Sequence, residues 1–231
     1  MFGNSNGGFL MKRFFLAIFF ILLMAISPTF AIDCKSSTEC VLIGQNLITQ
    51  KEYDMAIECF DTAISMAEDD YMAYAYRAKA NFYLGNYSLM IDDTTKSIEI
   101  YKNSSAYGLR GSAKLAMGDN AGAIEDTTKA LILNPNYMKC YEVRARAEVN
   151  TEDFLQALKD ASKAIKLRDN YAKSYEVLAY AQMGIKDYPS ALESFKKSVE
   201  LFKNDRDRKN YKLVKKQMKL CKKTIKKQNK N

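Results

Sequence analysis

The sequence contains no histidine, no tryptophan and only three prolines. Without histidine, Ser-His-Asp and Cys-His nucleophilic sites and His-based zinc sites are excluded. No glycine-rich phosphate loop is present. No Cys-x-x-Cys pair suggests structural zinc or a thioredoxin-like redox centre. Acidic pairs such as Asp69-Asp70 and Asp92-Asp93 read as helix-end and solvated charges rather than as a general acid–base pair. The chain is therefore read as non-catalytic, with no cofactor and no metal. What is plentiful is apolar: 48% of the 231 residues, enough for a core and too much for a wholly disordered chain.

The amino-terminal segment reads as an address. Met11-Lys12-Arg13 gives a short positive flank, and Met11 offers a second start besides Met1. An uncharged apolar run from Phe14 to Ile26 follows, and Ser27-Pro28-Thr29-Phe30-Ala31 then places small residues at Thr29 and Ala31. That is the three-part layout of a secretory signal. A retained membrane anchor is the second reading, since the uncharged stretch from Phe14 to Ile32 approaches the roughly 20 residues needed to span a bilayer. Residues 1–31 are assigned to this signal or anchor and 32–36 to a linker. In both readings the body is exported, to a periplasm, a cell surface or a secretory lumen.

The remainder repeats itself. Tyr74, Tyr107, Tyr141 and Tyr175 recur every 33 or 34 residues, each followed four places later by a small residue: Ala78, Gly111, Ala145 and Ala179. Gly44 extends that series backwards. A second series runs Ala56, Met90, Ala123, Ala157, Ala191, and a third, seven residues on, runs Ala63, Ser97, Ala130, Ala164, Ser198. Between these marks apolar residues fall at helical three-and-four spacing. Gly85-Asn86, Gly118-Asp119 and Lys186-Asp187 break the units in the middle, and Asn134-Pro135-Asn136 closes one of them. Each unit is thus two helices joined by a short turn. No such hairpin buries its apolar face alone, so the units must stack.

The stretches AYAYRAKANFYLGNYSLMIDDTTKSIEI, AYGLRGSAKLAMGDNAGAIEDTTKALILNPN and CYEVRARAEVNTEDFLQALKDASKAIKLRDN resemble tetratricopeptide (TPR) repeats. Tyr stands where that family usually has Trp. The aromatic of the second helix survives at Phe60 and Phe195 but is Thr94, Thr127 and Ala161 between them, and the closing Pro survives only as Pro135. The resemblance implies an all-α, right-handed superhelical solenoid of about five hairpins (37–70, 71–103, 104–137, 138–171 and 172–205), closed by a capping helix. It also implies that the first helix of each hairpin lines a concave groove, and that the protein binds an extended peptide or a protein segment there. Lys79, Tyr83, Ser112, Lys139, Arg146, Lys173 and Tyr180 are the groove residues so assigned, with Met72, Ser105, Leu115, Glu142 and Glu176 beside them. This mixed surface with basic excess suits a peptide carrying acidic and apolar residues. The carboxylate clamp of chaperone-tail binders is argued against, because its middle-unit Asn would fall on Tyr76, Leu109 or Val143.

One pairing is legible within the units. Arg77, Arg110 and Arg144 each precede an Asp by 16 residues: Asp93, Asp126 and Asp160. The first unit has Ile43 and Cys59 at these places, and the fifth has Leu178 and Ser194. Arg and Asp are present together or absent together, which predicts a structural ion pair across each middle hairpin rather than a set of ligand contacts. Of the five cysteines, Cys34 and Cys40 are the expected disulfide, with Cys59 as competitor; export permits such a bond.

The net charge of +8 is unevenly placed. Residues 206–231 hold 12 Lys and Arg and one acid, Asp207. Within them Tyr211, Val214, Met218, Cys221 and Ile225 form one helical apolar stripe. This end reads as a capping helix, required by such arrays, whose Lys faces are free to meet anionic membrane or polymer. That contact gives a second functional reading, an envelope-associated structural protein. No nucleic acid is expected, since no motif for reading it is present.

Overall fold

The computed structural model describes residues 33–228. The chain divides into two units, 1–34 and 35–231. The signal or anchor assigned to residues 1–31 lies outside the described residues. The second unit is built of helices: α1 Ser37–Gln50, α2 Tyr53–Met66, α3 Tyr71–Leu84, α4 Tyr87–Ile100, α5 Ser104–Ala116, α6 Asn120–Leu133, α7 Met138–Asn150, α8 Phe154–Leu167, α9 Ala172–Gly184, α10 Tyr188–Asn204 and α11 Arg208–Gln228. No strand occurs among the described residues.

Short polar side chains start these helices. Asp70, Asn103, Asp119, Asp153 and Asp187 each accept a hydrogen bond from a first-turn backbone N–H of α3, α5, α6, α8 and α10, which satisfies donors that have no partner inside the helix. Each hairpin turns through one residue in the left-handed region, again at a spacing of 33 or 34. Gly85 and Gly118 take it with φ of 82° and 87°, but Lys51, Glu152 and Lys186 adopt it as well, with φ of 69°, 63° and 64°.

Every helix packs on the next, pairing α1 with α2, α3 with α4, and so on to α9 with α10, and α11 lies against α10. The first helices of neighbouring hairpins also touch: α1 with α3, α3 with α5, α5 with α7, α7 with α9. The second helices show no comparable contact with one another. The array therefore bends with the first helices on its inner side.

The small residues set the close approach within each hairpin. Ala78, Ala145 and Ala179 are fully buried. A Cβ added at Gly44 would lie 2.5 Å from Cε1 of Phe60, and one at Gly111 would lie 2.9 Å from Cγ2 of Thr127. Ser97 and Ser198 stand where other hairpins have Ala, and each donates its hydroxyl proton to a first-helix carbonyl, of Tyr71 and Ala172 respectively, at 2.9 Å. At the far end Val214 and Cys221 of α11 are fully buried against the fifth hairpin, in a cluster with Phe195, Leu201 and Phe202. Tyr211, Met218 and Ile225 flank them, so the predicted stripe is the face that covers the array.

Candidate functional groove

The inner face carries two hollows. One, of about 400 Å³, lies between the second and third hairpins, and its walls include Tyr71, Met72, Tyr76, Lys79, Ser105, Leu109 and Tyr137. The other, of about 380 Å³, runs across α5, α7, α9 and the start of α11. It holds Ser112, Leu115, Lys139, Glu142, Arg146, Lys173 and Glu176 together, with Phe82, Tyr87, Val143, Asn210 and Leu213.

Charge in this second hollow is organised. Glu142 is 2% exposed and receives both Lys139, one turn earlier, and Arg146, whose Nε lies 3.3 Å from it. Arg146 reaches on to Glu176 of the next hairpin at 3.1 Å. Lys139 also donates to the hydroxyl of Tyr171 at 3.3 Å. Burial alone would push Glu142 up, but Lys139 and Arg146 hold it below the usual carboxylate range. Lys173 is the remaining cation. It makes no hydrogen bond or ion pair among the described residues, and burial, then the neighbouring Lys139, push it below the usual ammonium value. Three cations thus face two carboxylates in the hollow; Asp207 is near enough for Lys173 to help lower its pKa, but among the described residues Lys173 has no direct partner beside the apolar wall.

Five of the seven assigned groove residues line these hollows: Lys79 the first, and Ser112, Lys139, Arg146 and Lys173 the second. Tyr83 and Tyr180 line neither. The ring of Tyr83 stacks on Tyr53 of the first hairpin, with centroids 4.9 Å apart and planes at 14°. Tyr180 stands edge-on to buried Phe195, 5.4 Å away, and packs on the core of the fifth hairpin. Both sit at inner-face positions of their helices; Tyr83 stays 48% exposed despite its stack on Tyr53, while Tyr180 is half-buried against Phe195.

The Arg–Asp residues lie away from both hollows and hold the hairpins together. Arg77 reaches Asp93 at 2.6 Å, Arg110 reaches Asp126 at 2.8 Å, and Arg144 reaches Asp160 at 2.5 Å. Each arginine is also clamped over the Tyr three residues before it, 5.5–5.7 Å from the ring centre. Their remaining nitrogen does what sequence reasoning missed. It bonds the second helix of the preceding hairpin, at Asp61 (2.5 Å), Thr95 (3.0 Å) and Thr128 (3.0 Å). These three occupy one repeat position, five after Ala56, Met90 and Ala123. So each arginine joins three helices, and the staple runs between repeats as well as within them.

Burial raises Asp93 above the ordinary carboxylate value against the pull of Arg77. Burial acts on Asp126 too, but hydrogen bonds from Arg110 and Lys114 outweigh it and hold the group low. Lys114 lies four places after Arg110. The same position is Asn81 in the second hairpin, Glu148 in the fourth and Gln182 in the fifth. Asn81 and Gln182 bond the Asp93 and Ser194 side chains opposite them, at 3.5 and 2.7 Å. Glu148 is the exception, a carboxyl set toward a carboxylate. It is 4% exposed, its Oε2 has no hydrogen-bond partner, and burial, then Asp160, push its pKa up to about 8.

Cys34 and Cys40 are disulfide-bonded. Cys59, Cys140 and Cys221 are buried free thiols, and burial pushes Cys140 up to about 12. No group of three or more Cys, Asp or Glu among the described residues is placed to hold a metal ion. No helix among them is long and apolar enough to cross a membrane.

Residues 40–70 and 142–206 match the tetratricopeptide repeat family. No curated protein matches the sequence. Among solved structures, MamA is 20% identical with a TM-score of 0.61, covering 75% of this chain and 95% of its own. TTC0263 of Thermus thermophilus is 19% identical with a TM-score of 0.64, covering 78% and 98%. YrrB, described as a TPR protein with an unusual peptide-binding site, is 15% identical with a TM-score of 0.60, covering 79% and 92%. At these identities the likeness is one of fold. Repeat spacing, helix pairing and these matches agree that the chain carries tetratricopeptide repeats stacked as an all-α solenoid.

Proposed function

We propose that the protein is an exported, non-catalytic scaffold that binds a peptide or protein segment along the inner face of its repeats. The bound segment presents a carboxylate beside apolar side chains. The observation that carries this reading is Lys173, an unpartnered ammonium next to Lys139 and Arg146 in a hollow whose other wall is Phe82, Leu115 and Val143. A ligand carboxylate would give Lys173 the direct partner it lacks, in a partly desolvated place where such a bond is stronger than in water. YrrB shares the fold and has a peptide-binding site, which supports the general mode. The test is selection of a displayed random peptide library on the full chain. Enriched peptides should carry Asp, Glu or a free carboxyl terminus next to Leu, Ile or Phe, and should bind Lys173→Met at least tenfold more weakly. No enrichment, or enrichment blind to Lys173→Met, sinks the reading.

Export rests on the segment Met11–Ala31 and is supported by disulfide-bonded Cys34 and Cys40, since such bonds persist in oxidising compartments. Amino-terminal sequencing of the mature protein should find a start just after Ala31, or residues 1–31 retained in a membrane fraction. A full-length protein in the soluble cytoplasm would overturn it.

A second reading, contact of the basic end with an anionic membrane or polymer, is favoured by one feature. α11 carries ten Lys and Arg and no acid, and none of the ten forms an ion pair among the described residues. Because Val214 and Cys221 cover the fifth hairpin, charge reversal on α11 tests this more cleanly than truncation does.

A further inference from the structure

α11 serves as more than a lid. Its buried stripe is spoken for, but a second face is open, and that face begins inside the groove. Leu213 is part of the wall of the 380 Å³ hollow and is 50% exposed. Leu220, two helical turns later and so on the same side, is 52% exposed. The distance between their turns is about 10 Å. Lys209, Lys216 and Lys223 lie three or four residues from one or both leucines, which makes them surface neighbours of this pair. All three are exposed, and none has an ion-pair partner among the described residues. The inner surface of the array therefore continues past the fifth hairpin onto a strip of two leucines edged by cations.

We infer that α11 is the second half of the ligand site, and that its Leu213–Leu220 strip receives an acidic segment of the same polypeptide that occupies the groove. The inference rests on the groove reading above and extends it. Continuity decides between occupants: the strip shares Leu213 with the hollow, so a segment leaving Lys173 meets it next. A bilayer fits less well. Two half-exposed leucines give little apolar surface to bury in lipid, where an interfacial helix needs a broad apolar face. Three lysines around two leucines match a segment with acidic and apolar residues in turn, and pairs of this kind contribute to specificity and encounter rate.

The test uses the full chain and a triple variant, Lys209→Glu/Lys216→Glu/Lys223→Glu. These side chains are exposed and unpaired, so the variant should keep the wild-type circular dichroism and melting curve. A displayed library of random 20-residue peptides is selected on each protein at physiological salt. Expected on the wild type are peptides with an acidic segment flanking the apolar one. On the triple variant the apolar segment should persist and the acidic flank vanish. Wild-type-selected peptides should lose at least tenfold in affinity for the triple variant and several-fold for Leu220→Ala. Peptides that keep their acidic flank on the triple variant overturn the inference and leave the groove reading standing. Loss of binding to phosphatidylglycerol vesicles by the triple variant, with peptide selection unchanged, overturns it in favour of a bilayer. Failure to enrich any peptide on the wild type removes the groove reading and this one with it.

Discussion

The five hairpins share one backbone but join their helices in two ways. In the second, third and fourth, an arginine bridges two second helices, and the residue facing the small position is Thr94, Thr127 or Ala161. In the first and fifth, Arg and Asp are both missing, and that same place holds Phe60 or Phe195, each fully buried. The aromatic and the ion pair are alternatives. A phenyl ring brings its own apolar burial, worth about 1.5–3 kcal/mol. A buried ion pair contributes little net stability over an apolar replacement, but it fixes geometry. The end hairpins have a repeat neighbour on one side only, and there the apolar solution is used. The middle hairpins have a repeat on both sides and carry the staple that sets each repeat against the one before it.

The contrast breaks most visibly at Arg110. Arg110→Ala leaves fully buried Asp126 with Lys114, 2.8 Å away, as its one cation among the described residues, and should cost about 1.5–3 kcal/mol, the usual loss for hydrogen bonds to a charged group. Chemical unfolding monitored by circular dichroism measures it. Converting the third hairpin to the polar chemistry of the fifth, Arg110→Leu with Lys114→Gln and Asp126→Ser, should recover most of the loss, since Lys114 otherwise loses its carboxylate partner. If the triple variant is as unstable as Arg110→Ala, the two solutions are not interchangeable and the contrast fails.

The first hairpin can be disturbed from its aromatic side. Gly44→Ala places a methyl 2.5 Å from the Phe60 ring. Overpacking of this kind costs about 1–3 kcal/mol. Adding Phe60→Thr reproduces the Ala78/Thr94 arrangement of the second hairpin and should relieve the clash, although it also removes the ring's burial. A double variant no worse than Phe60→Thr alone would show the steric coupling, and additive losses would refute it.

Glu148 separates the fourth hairpin from the other stapled ones, because it puts an acid where the second and third have a donor, Asn81 and Lys114, facing the aspartate. Its folded pKa, about 8, lies above the ordinary 4.5. The folded state therefore holds the proton more tightly than the unfolded one. Stability from this group is full below pH 4.5 and is lost as pH rises toward and through 8. Every charge facing the group enters this balance: Arg144 favours the ionised form, and Asp160 and Asp153 oppose it. Glu148→Gln supplies a neutral amide donor like Asn81 and should remove that slope, raising the melting temperature at about pH 9 far more than at about pH 5. Parallel pH profiles for the two proteins would show that Glu148 ionises normally.

Much of this architecture is legible in the residues, for physical reasons. Close helix approach demands small side chains, so Gly44, Ala78, Gly111, Ala145 and Ala179 mark the register without any structure. Charge must be balanced when buried, so Arg and Asp come and go together. The reach of Arg77, Arg110 and Arg144 into the preceding hairpin is not legible, because its acceptor needs only an oxygen and is Asp61 once and Thr95 or Thr128 otherwise. The groove is legible in part. Position on the inner face picks out Lys79, Ser112, Lys139, Arg146 and Lys173. How much of a ring at such a position is open depends on its neighbours in space: Tyr53 covers one face of Tyr83, which stays 48% exposed, and Phe195 packs on Tyr180. The continuation onto α11 is hidden for a similar reason: Leu213 and Leu220 lie off the apolar stripe and read as strays until the helix is docked.

The turns offer the weakest effect and the finest test of repeat equivalence. Five residues take the left-handed conformation at one repeat position, and only Gly85 and Gly118 do so without a Cβ. For Lys51, Glu152 and Lys186 that conformation costs about 1–2 kcal/mol each. Glu152 and Lys186 are exposed, and their side chains make no hydrogen bond or ion pair among the described residues, so changing them removes only the strain. Glycine gives back part of the gain through its greater freedom in the unfolded chain. Glu152→Gly and Lys186→Gly should each stabilise the protein by up to about 1 kcal/mol in denaturant titrations, and Gly85→Ala should destabilise it by a similar amount. The three shifts should match in size, because the same turn is being altered in three copies. A loss of stability on Glu152→Gly would mean that the fourth turn is held by its side chain, and that the hairpins differ in their turns as well as in their staples.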